Sequence, residues 1–68
     1  MIVSEFHFWS PILGTDAVRI STANDLGQEY FAIIPRESAR RWREMKSAAL
    51  EALERAVLNS DPPGEIKL

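Results

Sequence analysis

Over the first 34 residues the apolar positions recur at the two-residue spacing of strands. "IVSEFHFW" is rich in β-branched and aromatic side chains and predicts a strand at about 2–9. It stops at "SPILGTD", where Pro11 and Gly14 punctuate the chain. "AVRIST" then alternates, with Val18, Ile20 and Thr22 on one side and Ala17, Arg19 and Ser21 on the other, which predicts a strand at about 17–22 with one wetter face. "ANDLGQ" supplies turn-forming Asn24, Asp25 and Gly27 and leads into a third strand at about 29–34, joined to the second as a hairpin with a loop of roughly four to six residues. The unbroken apolar run Tyr30 to Ile34 is the pattern of a strand covered on both faces.

The period changes at Pro35. A proline ends strand pairing and suits the first turn of a helix, where its missing N–H is not needed. Helical spacing continues to Leu58, which predicts one long amphipathic helix at about 35–58. Asn59 is placed to cap it and "DPPG" forbids its continuation. The expected fold is α+β: a three-stranded antiparallel sheet followed by the C-terminal helix. Residues 1–68 form one domain, with 59–68 a tail that lies along a sheet edge or stays disordered.

At about 100° per residue, Ala39, Trp42, Met45, Ala49, Leu50, Ala52, Leu53, Ala56 and Val57 share one arc of the helix. Trp42 therefore reads as a residue packed on the sheet, with base stacking as the competing use. Arg36, Arg40 and Arg43 fall on the opposite side at i, i+4 and i+7. They read either as a solvated face, laced by pairs of the type Glu37 with Arg41 and Arg40 with Glu44, or as an electrostatic contact for an anionic partner. The crowding of arginines into the front half runs against the helix dipole, which favours acids there.

A chain of 68 residues has room for one core and buries only about 60% of its unfolded surface, so an oligomer or a bound partner is the available supplement. There are no cysteines to cross-link it. No run approaches the ~18 apolar residues of a membrane span, and the start "MIVSEFHFWS" lacks a basic leader region; a cytoplasmic protein without membrane contact is expected. The net charge of −2 hides a strong segregation. Residues 35–46, "PRESARRWREMK", carry five positive and two negative side chains within an otherwise acidic chain.

One helix covers one side of a small sheet, yet the outer strands are apolar on both. Ile2, Phe6 and Phe8 alternate with Val3 and Trp9 in the first, and Tyr30, Ala32 and Ile34 alternate with Phe31 and Ile33 in the third. An uncovered apolar face marks an interface. Val3, Trp9, Phe31 and Ile33 are its candidate residues, unless the "SPILGTD" loop or the tail folds over them.

Chemistry is sparse. His7 is the only histidine, and without cysteine no ligand set for a transition metal is spaced along the chain. Ser10, His7 and Asp16 lack a nucleophile elbow or a glycine-built oxyanion hole, and three scattered glycines make no phosphate loop. No enzyme activity, cofactor, metal or small-molecule substrate is expected.

"EYFAIIP" and "ALEALERAVLNSDPPGEI" resemble pieces of the HicB-type antitoxins, in which a strand ending near a proline precedes a helix and a proline-containing tail. In that family a further strand intervenes, whereas here Pro35 runs straight towards the helix. The expectation from all of this is a small acidic protein–protein interaction module, an inhibitor of a larger and perhaps nucleic-acid-processing machine in the manner of antitoxins or phage anti-defence (anti-CRISPR-type) proteins. The partner is another protein, a second copy, or both. The alternative is a nucleic-acid binder using Arg36, Arg40 and Arg43.

Overall fold

The computed structural model describes residues 1–36 and 39–68. Three antiparallel strands, β1 (Ser4–Ser10), β2 (Thr15–Ala23) and β3 (Glu29–Pro35), form a meander followed by helix α1 (Ala39–Leu58). A two-residue strand, β4 (Gly64–Glu65), then joins the free edge of β3 in parallel, giving the sheet order β1-β2-β3-β4. The predicted α+β architecture holds. The tail takes the first of its two expected courses, along a sheet edge.

Local chemistry sets both hairpins. At the first, the Gly14 N–H donates to the Ser10 carbonyl at 2.7 Å with Gly14 at φ +68°, and the Leu13 N–H donates to Ser10 Oγ. At the second, Asn24 Oδ1 accepts from the N–H groups of Leu26 and Gln28, each at 3.0 Å, an Asx-type turn that closes a loop of five residues.

Pro35 belongs to β3, where it pairs with Ala17, and not to the first turn of the helix. The Arg36 N–H donates to the Asp16 carbonyl at 2.8 Å, so the alternate residue Pro35 turns its nitrogen to the opposite edge and removes no bond from the β2–β3 ladder. The helix starts at Ala39, later than the expected 35. The expected Glu37–Arg41 pair lies outside the described residues.

The core is one cluster: Val18 and Ile20 from β2, Tyr30, Ala32 and Ile34 from β3, and Ala49, Leu53 and Ala56 from α1. Trp42, Met45, Leu50 and Val57 close its margin from the helix, Val3 from the segment before β1 and Ile66 from the tail. This is the arc read from the helix wheel, with Trp42 turned inward. α1 lies over β3 and β2 rather than β1. β2 is the best covered strand, with Ala17, Val18, Ile20, Ser21 and Thr22 all buried. β3 is covered on one face only. Tyr30, Ala32 and Ile34 are sealed against the helix while Ile33 stays exposed, so the run Tyr30 to Ile34 overstates its cover.

The end of α1 is tied to the sheet. The Asp61 N–H donates to the Ala56 carbonyl and the Ser60 N–H to the Val57 carbonyl, with Ser60 in the left-handed region at φ 54° and Asn59 as the capping residue. The buried Tyr30 hydroxyl donates to the Asp61 carbonyl at 2.6 Å, so the capping turn is anchored to β3. Among the described residues, no buried side-chain nitrogen or oxygen lacks a partner.

Two stability measurements check this packing. Leu53→Ala empties the centre of the only interface between helix and sheet and is expected to cost about 2–5 kcal/mol in chemical denaturation. Ser60→Gly relieves a left-handed serine and is expected to raise stability by about 1 kcal/mol, a gain of several degrees in melting temperature; a lower melting temperature contradicts the assigned cap.

Candidate functional site

The register of the strands decides which side chains share a face. Directly opposed residues point the same way, so β1 offers Phe6 and Phe8 to the side on which β2 places Arg19 and Ala17 and β3 places Ile33 and Pro35. Phe31 and Ser21 lie one row further along, with Glu65 of β4 beside them. Among the described residues, no helix lies on this face. Neither does the loop between β1 and β2, which carries Ile12 and Leu13 exposed at its tip, nor the tail, whose Ile66 packs on the helix-side core.

Phe6 and Phe8 stack side by side with ring centroids 6.0 Å apart and planes inclined by 22°. Phe6 is 65% exposed, a large aromatic surface to leave in water. Across the sheet the Arg19 guanidinium lies over the Phe31 ring, 4.1 Å from its centroid, and holds the Glu29 carboxylate in a forked contact. The arginine covers one aromatic with its plane while its charge is met by the neighbouring acid. The surface is thus two stacked phenylalanines and an isoleucine beside a fixed, charge-neutral arginine–glutamate pair.

Glu29 titrates accordingly. The hydrogen bond from Arg19 holds its carboxyl below the ordinary value of 4.5, with partial desolvation opposing and the arginine's charge adding to the effect.

Of the four residues expected on the uncovered face, the structure brings only Phe31 and Ile33 together there. Val3 and Trp9 point to the helix side: Val3 is half-buried against the core, and Trp9 is 60% exposed opposite Asp16, beyond the reach of α1. The four-residue connection pairs even positions of β1 with odd positions of β2, so Phe6 and Phe8 take the places expected for Val3 and Trp9.

The expected arginine row is also divided. Arg36 precedes the helix, and its guanidinium approaches His7 Nδ1 at 3.3 Å and sits 6.0 Å from the centre of the Trp42 ring. Lys46, 5.9 Å from the same ring, binds Glu5 at 3.2 Å, and His7 contacts Trp42 with centroids 6.2 Å apart. These contacts join the front of α1 to the helix-side surface of β1. Arg40 and Arg43 remain on the exposed helix surface, where Arg40 donates to Glu44 at 3.4 Å.

An open cleft of about 760 Å³ separates the β2–β3 loop from the end of α1. Leu26, Val57, Leu58 and Pro62 supply its apolar lining and Asp25, Glu54 and Asp61 its acidic rim. No feature of the strand or helix periodicity announces it. Among the described residues, no group of three or more His, Cys, Asp or Glu side chains is disposed to hold a metal ion, and no helix is long and apolar enough to cross a membrane.

No family model matches the chain, and neither a curated protein nor a solved structure matches it at a significant level. The likeness of residues 29–35 and 49–66 to antitoxin segments therefore carries no family membership.

The Arg19–Glu29 pair gives a pH test with a fixed sign. A carboxyl whose folded pKa lies below its unfolded one contributes stability above the unfolded value, and that contribution is lost as pH falls through the folded value. Melting curves of the native protein and of Glu29→Gln should therefore differ most at neutral pH and converge on acidification below the ordinary carboxylate range. A difference that is constant down to the most acid condition is incompatible with this pairing.

Proposed function

We propose that this chain is a small protein–protein interaction module whose working surface is the uncovered sheet face built from Phe6, Phe8, Phe31 and Ile33. The observation that carries the reading is the stacked pair of an exposed Phe6 and a half-buried Phe8, in register with an exposed isoleucine on a face that no described element covers. Aromatics grouped around a paired arginine have the composition of an interface centre: large apolar anchors with few free charges. In this reading the face occupies a complementary surface on a larger partner, as an inhibitor does.

The nucleic-acid reading draws less support from the geometry. It needs Arg36, Arg40 and Arg43 in one row along a phosphate backbone. Arg36 instead turns towards His7 and Trp42, and Arg40 faces Glu44, in a chain of net charge −2.

Affinity capture from the native host compares the two. Ile33→Glu places a charge in the middle of the face at an exposed position, so the fold survives it. Proteins held by the native chain should be lost from the variant and retained by an Arg40→Ala/Arg43→Ala double variant. Capture that is indifferent to Ile33→Glu, or affinity for random DNA that falls steeply with salt, removes the sheet-face reading.

A further inference from the structure

The order β1-β2-β3-β4 leaves β1 on an outer edge of the sheet, and the hydrogen-bond alternation shows which of its groups are unpaired. Because the Arg36 N–H bonds the Asp16 carbonyl, even-numbered residues of β2 turn their backbone groups to β3 and odd-numbered ones to β1. Their partners are the even residues of β1, Phe6 opposite Arg19 and Phe8 opposite Ala17. The N–H and C=O groups of Glu5, His7 and Trp9 therefore point outward from the sheet.

Edge strands are ordinarily blunted by a lysine, a proline, a bulge, short length or a covering helix. β1 has no lysine, proline or bulge, and its one charge, Glu5, is met by Lys46 of α1. It runs seven residues, SEFHFWS, in unbroken register with β2, and α1 lies over the other strands.

We propose that β1 is the seam of a two-fold dimer, in which it pairs antiparallel with β1 of a second copy about Phe6 and joins the two sheets into one of eight strands. The sequence of the strand is complementary to itself in this register. Glu5, which Lys46 of its own chain already engages, stands opposite His7 of the second copy on the helix side, twice over, so that acid meets imidazole. Phe6 meets its own counterpart at the non-hydrogen-bonded centre, where opposed side chains come closest. The four outward backbone groups of Glu5 and His7 on each copy are satisfied by the pairing.

The helices permit it. The two-fold axis stands perpendicular to the sheet and puts both helices on one side. Each lies over β2 and β3, so four strand spacings of about 4.8 Å keep their axes about 19 Å apart, twice the distance of packed helices. The seam shares Phe6 with the open face, whose Ile33 lies two strands away.

The test is molar mass in solution together with amide hydrogen exchange. The native chain should reach twice its 7.7 kDa as concentration rises. The Glu5 and His7 amides should become protected over the same range, while the Phe6 and Phe8 amides, bonded to β2, stay protected throughout as internal references. His7→Pro deletes an outward N–H without touching the β2 ladder and should stay at the single-chain mass with its strand signal intact; Ile33→Glu should still dimerise. A native chain that stays monomeric with freely exchanging Glu5 and His7 overturns the proposal. So does a dimer in which those two amides remain unprotected, or one abolished by Ile33→Glu, because its contact then lies elsewhere. If His7→Pro does not fold, exchange in the native chain decides alone.

Discussion

A single helix can seal only one side of a sheet, and the rest of this molecule follows from that constraint. Leu53, Ala49 and Ala56 meet Ile20, Tyr30 and Ile34 in a cluster with almost no exposed surface. The two alanines let the helix approach the strands closely, and the tyrosine fixes the end of the helix through the Asp61 carbonyl. Among the described residues, nothing of comparable size lies on the other side. The sheet face carrying Phe6, Phe8, Phe31 and Ile33 is therefore left uncovered, and β1, which the helix does not overlie, keeps a free edge.

The uncovered face is partly tempered from within. Arg19 occupies its middle, lies over Phe31 and binds Glu29, so one aromatic is shielded and the guanidinium brings no unpaired charge. A surface of this kind tolerates water while keeping Phe6 and Ile33 available. The front of α1 shows a related arrangement: Lys46 and Arg36 flank Trp42 and reach Glu5 and His7, so basic side chains that look free in the sequence are engaged with β1. Arg40 and Arg43 of the helix itself stay on its exposed surface, and its first turn contains no acid.

Much of this was legible in the residues. Alternation in "AVRIST", the Asn24 and Gly27 turn and the apolar arc of the helix announce three strands and a helix, and they assign Trp42 to the packed side. The relation between strands was not legible. Each strand's own alternation is plain, but which face of β1 matches which face of β2 depends on the length of the connection, and one residue more or less would reverse it. Alternation alone thus groups Val3 and Trp9 with Phe31 and Ile33, whereas the register puts Phe6 and Phe8 there. Pro35 misled for a related reason. A proline is compatible with a strand when its nitrogen faces a free edge, and only the hydrogen-bond parity of β3 reveals that it does.

The central claim is that the uncovered face, and not the outer surface of the helix, meets the partner. The most direct measurement is nuclear magnetic resonance mapping of the labelled chain on addition of a captured partner. The account predicts that the signals that shift or broaden are those of Phe6, Phe8, Arg19, Phe31 and Ile33. Changes confined to Arg40, Arg43, Glu44 and Glu51, with the sheet signals unmoved, would contradict it.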